Sequence, residues 1–243
     1  MLLLAFESSA KAGSVALLRD GILLAEYYQN GGQTHSRTLM KMAEDMLGNC
    51  DLTPKDVDAV GVASGPGSFT GVRIGVSAAK GFAWAGELPC VGVSTLEAMA
   101  CGVLPFHGIV CAVMDARRSQ VYNALFRSDG CTLTRLCPDR AVSIDELAAD
   151  LEKTTDIKIL VGDGAQLCYN TLQGRIDGLC IAPEHLRHQR ASGVALCAEA
   201  QLLGGDPGDG GALVPNYLRL SQAERERLER ENKNRNKIGR AHV

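Results

Sequence analysis

A chain of 243 residues can hold one large domain or two small ones, with enough core to fold without crosslinks. Apolar residues make up 46% and charged residues 22%, an ordinary soluble composition, and the formal net charge is −3. A protein that grips nucleic acid alone normally carries an excess of positive charge, because phosphate contacts supply most of such affinity; this chain has none, so any such contact is expected to be shared with a partner.

The opening Met1-Leu2-Leu3-Leu4-Ala5-Phe6-Glu7 has a short apolar run and no basic segment before it. It is too short for a secretory signal or a membrane span, and reads as a buried strand. Residues 2–6, 14–18 and 22–28 are three short runs of strand formers, the last two separated by Asp20-Gly21, a two-residue hairpin signal. A helix is predicted over 36–47, a strand over 57–63, then a glycine-rich loop and a helix over 71–85. Residues 90–93 read as a strand, and Ser94-Thr95 opens a helix with Glu97 in its first turn, a partial capping signal.

The pattern then restarts. Residues 109–114 and 120–126 form a second hairpin across Asp115-Ala116-Arg117-Arg118-Ser119, with 133–136 as a third strand. Residues 143–151 are helical, with Ser143 and Glu146 in capping-box spacing. Residues 157–161 are a strand that ends in Gly162-Asp163-Gly164, a phosphate-side loop or a plain turn, with the turn favoured, and 192–203 are helical. Hairpins followed by alternating helices and strands, given twice, predict two related α/β lobes, 1–104 and 105–220, divided near Leu104-Pro105. Residues 221–243 are a charged tail of the kind usually found as a solvated helix. Its end, from Lys237, is what AAG ATC GGA AGA GCA CAC GTC encodes, a common sequencing-adapter string, so 238–243 are expected to be an assembly artefact.

The nine cysteines are Cys50, Cys90, Cys101, Cys111, Cys131, Cys137, Cys168, Cys180 and Cys197. Their number is odd, no pair has Cys-x-x-Cys spacing, and several lie in apolar runs. They read as reduced thiols of a cytosolic protein.

The most specific feature is Ser64-Gly65-Pro66-Gly67-Ser68-Phe69-Thr70-Gly71-Val72-Arg73-Ile74-Gly75. It is a tight strand-to-helix turn in which Pro66 fixes φ, Gly65 and Gly67 permit conformations other residues resist, and Thr70 is placed to cap the helix. Such a turn aims backbone N–H groups ahead of a helix and suits an anion; a turn that merely packs helix on sheet has the same sequence. This segment closely resembles the TsaB (YeaZ) family. So do Leu4-Ala5-Phe6-Glu7-Ser8-Ser9, His35-Ser36-Arg37, Asp115-Ala116-Arg117-Arg118 and Val214-Pro215-Asn216-Tyr217-Leu218-Arg219. The matches span residues 2–219. The resemblance implies an α/β, actin-like (ribonuclease H-like) fold of two related lobes. It also implies a non-catalytic, cytoplasmic role, off the membrane, beside the TsaD paralogue and the TsaE ATPase. That assembly moves threonylcarbamoyl to N6 of adenosine 37 in tRNA, and tRNA is met only within it.

Two departures from relatives of this fold argue against independent catalysis. Glu7 stands where the family usually reads Asp, one methylene shorter, which weakens a kinase or ATPase reading. The catalytic paralogue carries histidines at i and i+4 on its first helix, a metal-binding spacing; here His35 is followed by Leu39. Glu184-His185-Leu186-Arg187-His188 offers a three-residue histidine spacing, but Arg187 and Arg190 oppose a cation. A peptidase is a weaker alternative, since no Gly-x-Ser-x-Gly elbow is present. No catalytic residue, metal ligand or cofactor is expected.

The two predicted helices point to a partner. On the first, Leu39, Met40, Met42, Ala43, Met46 and Leu47 fall within about 160° of arc, wider than one contact with a sheet needs. On the second, Arg73, Ser77 and Lys80 share one narrow stripe with Trp84, while Gly71, Gly75 and Ala79 recur at spacing that would admit another helix. Burying four large side chains there is worth on the order of 6–12 kcal/mol before association costs of similar size. The expected partner face is His35, Leu39, Met42, Met46, Arg73, Val76 and Phe82, used with TsaD or in a homodimer. The candidate phosphate or nucleotide loop is Ser8, Ser9, Gly65, Gly67 and Ser68.

Overall fold

The computed structural model describes residues 1–219; the charged tail and its closing residues lie outside the described residues. Strands β1 (Leu2–Glu7) and β2 (Gly13–Arg19) are buried almost throughout and pair antiparallel, Leu3 opposite Leu18. Asp20 and Gly21 take φ of 49° and 76°, the left-handed pair that a two-residue hairpin needs, and β3 (Ile22–Gln29) returns along the edge. After α1 (His35–Asn49), β4 (Ala59–Gly65) runs parallel to β1; α2 (Phe69–Gly86) leads to β5 (Cys90–Ser94) and α3 (Thr95–Cys101).

The second half repeats this plan. It runs β6 (His107–Asp115), β7 (Gln120–Asp129), β8 (Leu133–Arg135), β9 (Arg140–Ser143), α4 (Ile144–Leu151), β10 (Lys158–Val161), α5 (Ala165–Leu172), β11 (Leu179–Ile181), α6 (Glu184–Arg187) and α7 (Ala191–Leu203). The first sheet has the order β3-β2-β1-β4-β5 and the second β8-β7-β6-β10-β11, with β9 on β7 as well. Two sheets of one order, each with an antiparallel hairpin and two parallel strands, make the duplicated α/β, actin-like fold. Helix α4 is held by the capping box read from sequence: Ser143 Oγ accepts the Glu146 N–H, and Glu146 Oε2 accepts the Ser143 N–H at 2.7 Å.

Each lobe sends its last helix to the other lobe's sheet. Helix α3 packs Leu96, Met99 and Ala100 among Val110, Ala112, Met114 and Phe126 of the second sheet. Helix α7 packs Ala191, Val194, Ala195 and Ala198 among Leu3, Ala5, Ala16 and Leu18 of the first. Residues 207–219 also return to the first sheet: the Cys90 N–H donates to Gly208 O at 2.8 Å and the Asn216 N–H to Ser64 O at 2.7 Å. A linear split at 104 therefore does not describe the packing after residue 190. Helix α7 is apolar on nearly every side because it lies between layers. Among the described residues no helix is long and apolar enough to cross a membrane.

The outer face of the first sheet carries α1 and α2, and here the structure corrects the expected partner face. Leu39, Met46 and Val76 are in the core with Val15, Leu17, Val60 and Val62, and offer nothing to a partner. The apolar arc of α1 is wide because the helix rests on the sheet and on α2 at once, two intramolecular contacts rather than one. The small stripe of α2 is likewise used internally: a Cβ on Gly71 would lie 2.1 Å from Ser8 O, and one on Gly75 2.4 Å from Ser8 Oγ. Those glycines admit the β1–β2 turn, not a second helix. Met42 and Phe82 are half-buried against the same core.

Candidate functional site: the cleft between the lobes

The C-terminal ends of β1, β4, β6 and β10 converge on a cleft of about 710 Å³, lined from the first lobe by Ser9, Lys11, Gly67, Ser68 and Phe69. The second lobe contributes Asp115, Arg117, Tyr122 and Asp163, and the returning segment adds Asn216, Tyr217 and Arg219. Crevices outside the carboxyl ends of such strands are where open α/β sheets take ligands.

Below the cleft floor, Glu7 is fully buried. Its Oε1 accepts the Ser9 N–H at 2.5 Å, and its Oε2 has no partner. Burial pushes its carboxyl up to about 7, with the nearby Asp163 adding to the effect and the Ser9 N–H bond opposing it. Asp163, two residues beyond β10, is also pushed up by burial, although its Oδ1 accepts from Gln189 Nε2 at 2.8 Å.

The glycine-rich turn closes over these groups. Ser8 Oγ donates to Gly71 O at 2.9 Å, while Ser9 Oγ is buried without a partner. The Ser68 N–H donates to Ser9 O at 2.6 Å, and Ser68 Oγ accepts the Gly71 N–H at 3.3 Å. The cap of α2 is therefore Ser68; Thr70 lies inside the helix. Gly65, at φ 118°, sits where a Cβ would be 2.5 Å from Asn216 O. Of the expected phosphate or nucleotide loop, Ser9, Gly67 and Ser68 face the cleft. Ser8 and Gly65 do not, because one is bonded under α2 and the other is pressed on the returning segment at Asn216.

His35 lies at the other side of this turn. Its Nε2 is 2.8 Å from Ala10 O, which can only accept, so Nε2 carries the proton; Nδ1 is buried without a partner. The ring covers Gly13, where a Cβ would be 2.8 Å from Nδ1. His35 thus ties α1 to the β1–β2 turn and is no free contact. Arg73 is exposed and joins the returning segment: its guanidinium carbon is 3.9 Å from the Phe69 ring centroid, and its Nε donates to Tyr217 Oη at 2.7 Å. Phe69 and Tyr217 stack at 4.5 Å. From the same segment Arg219 reaches across the cleft to Ala116 O at 2.7 Å. At that hairpin turn, Asp115 Oδ1 accepts the Arg117 N–H at 2.7 Å, and Arg117, Arg118 and Ser119 all have left-handed φ.

The actin-like fold implies a nucleotide with its metal ion in this cleft, and the residues here do not fit that pair. Glu7 holds its carboxyl under Ser9, buried and raised to about 7, and the Ser68 N–H is committed to Ser9. Among the described residues no group of three or more His, Cys, Asp or Glu side chains is arranged to hold a metal. Glu184, beside the two histidines, is engaged by Arg187 at 2.8 Å and His188 at 3.1 Å.

Comparison with known proteins decides the family. The tRNA threonylcarbamoyladenosine biosynthesis protein TsaB of Bacillus subtilis is 33% identical over 94% of this chain and 99% of its own length. The chain belongs to the TsaB family. The protein of the same name from Escherichia coli is 40% identical over 53% of this chain and 56% of its own. The family model of TsaD, tRNA N6-adenosine threonylcarbamoyltransferase, matches residues 25–226. Among solved structures, YeaZ from Pseudomonas aeruginosa superposes with a TM-score of 0.75 at 26% identity, covering 89% of this chain and 99% of that one. A Pseudomonas aeruginosa protein described as similar to the peptidase YeaZ gives 0.77, also at 26%, over 90% and 99%. The TsaB resemblance read from residues 2–219 thus holds over the described chain. Sequence reasoning missed Lys11 and Tyr122 as cleft residues, and at Asp163 favoured a plain turn over the phosphate-side loop that the cleft lining fits. The string from Val214 to Arg219 was visible as a family signature, while its bonds to Ser64, Arg73 and Ala116 join elements far apart in sequence.

Proposed function

We propose that this TsaB-family chain is a non-catalytic subunit of the assembly that places threonylcarbamoyl on N6 of adenosine 37 in tRNA, bound to a TsaD-like paralogue and acting with the TsaE ATPase. The observation that carries the reading is the state of Glu7. The acid at the end of β1 is sealed from the cleft and faces no metal-binding cluster among the described residues, so the position that would organise metal and phosphate has become a core position. A kinase or ATPase of this fold needs that acid ionised and open.

The partner-binding part of the proposal moves outward from the face expected from sequence. Met40, Arg73, Ser77 and Trp84 are among the residues exposed on α1 and α2, Trp84 at 86% exposure, beside a charged stripe of Arg37, Lys41, Glu44 and Asp45 on α1. Between the C-terminal halves of these helices lies a mostly apolar groove of about 790 Å³ lined by Met40, Leu52, Pro54, Phe82, Ala85 and Leu88. Trp84 lines a separate hollow with Lys80, Ala83 and Gly210; an exposed tryptophan and an apolar groove on the same two helices give the composition of an interface. The same face would serve self-pairing, which would then compete with the paralogue. With a net charge of −3, tRNA is held by the assembly and not by this chain alone.

A peptidase reading finds less support. Ser8 and Ser9 are buried, Ser68 Oγ caps α2, and His35 donates to a backbone carbonyl. The test is to mix the chain with the TsaD paralogue of the same organism, with and without nucleotide and tRNA, and follow both by gel filtration. A shared peak is expected; separate peaks under every condition contradict the proposal.

A further inference from the structure

We propose that Cys101 and Cys197 form a reversible disulfide that staples α3 to α7 and so fixes the two lobes against each other. The proposal does not rest on the functional reading above. The two helices are the ones the lobes exchange, and they meet along a single seam. At Ala98 and Gly193 the backbones approach so closely that a Cβ on Gly193 would lie 2.1 Å from Ala98 O. One turn further along each helix, three residues on from Ala98 and four on from Gly193, stand Cys101 and Cys197, their sulfurs 3.2 Å apart. That is about 1.2 Å beyond a disulfide bond. The seam therefore supplies what a disulfide requires, two close backbones with facing thiols, at residues 96 positions apart in the chain.

Cys101 is half-buried and Cys197 buried, so an oxidant reaches Cys101 first. The Cys197 S–H, turned toward Cys101, stabilises its thiolate and holds it below the usual thiol range, while the Cys197 thiol is pushed up. The other buried thiols are poorer nucleophiles: burial pushes Cys90 to about 11 and Cys168 to about 12. With a peroxide as oxidant, the Cys101 thiolate attacks one peroxide oxygen. An S–O bond forms, the O–O bond breaks and hydroxide leaves, giving a sulfenic acid. Cys197 sulfur then attacks Cys101 sulfur; the S–S bond forms, the S–O bond breaks and water leaves with the Cys197 proton. Two thiols and one peroxide become one disulfide and two waters. A dithiol reductant reverses the change by exchange.

The cleft is lined by both lobes, so a staple at their seam sets its width. The test treats the full chain with hydrogen peroxide, alkylates free thiols under denaturing conditions and maps the peptides by mass. The expected result is a Cys101–Cys197 crosslinked peptide, loss of two of the nine thiols, and recovery of both with dithiothreitol. Amide exchange in α3 and α7 should slow about tenfold in the oxidised protein. In Cys197→Ser, Cys101 should stop at a sulfenic acid that dimedone traps. Both thiols still alkylated at a peroxide dose that oxidises the exposed Cys131 overturns the proposal. A disulfide between other cysteines does so too, as does a Cys101–Cys197 bond that leaves exchange unchanged.

Discussion

At the scale of single residues, a carboxyl with no exposure and one unpartnered oxygen sets a pH dependence. Glu7 is raised from 4.5 to about 7, so between those values the unfolded chain has lost its proton while the native one keeps it. The native state binds more protons there, and stability falls as pH rises. The contribution is fully present below 4.5 and is lost by about pH 7, a change of about 3 kcal/mol. Urea midpoints measured from pH 4.5 to 8 should show this slope, and Glu7→Gln should flatten it. A second residue-scale prediction concerns Gly71, whose Cβ would strike Ser8 O. Gly71→Ala should cost about 1–3 kcal/mol in chemical unfolding, although alanine is the better helix former. The sequence marks Glu7 as the acid at the end of the first strand. It does not reveal the burial, because the covering atoms come from Ser9, Asp163 and the turn after β4.

At the scale of elements, α1 and α2 each have an inward and an outward side, and substitutions should separate them. Met46→Ala, in the core, should cost about 2–5 kcal/mol in unfolding measurements, whereas Met40→Ala should change stability by about 0.5 kcal/mol or less. The periodicity of both helices and the capping box of α4 were legible, since they depend on neighbours three and four residues away. The face that a partner would meet was not, because hydropathy alone does not say whether an apolar arc is covered by the chain's own sheet. Elements β9, β11, α5 and α6 escaped for a related reason. They have three to eight residues, too few for a period to repeat, and are fixed by pairing with β7, β10 and the second sheet.

At the scale of the molecule, the doubled order of hairpins, helices and strands was readable, because each half repeats the same hydropathy pattern. The exchange of α3 and α7 was not, since nothing in an apolar helix names the sheet it will cover. That exchange places two sheets back to back around shared helices and leaves α1 and α2 on the outer face of the first sheet, with Trp84 the most exposed large apolar side chain among the described residues. The account therefore assigns partner binding to this outer face, and the assignment is open to one direct measurement. Calorimetric titration of the TsaD paralogue should be made with the unaltered chain, with Trp84→Glu, and with Leu167→Glu on α5 of the far lobe as a control. The account predicts that Trp84→Glu weakens binding about tenfold or more while Leu167→Glu leaves it unchanged. Equal affinity for all three proteins would contradict it.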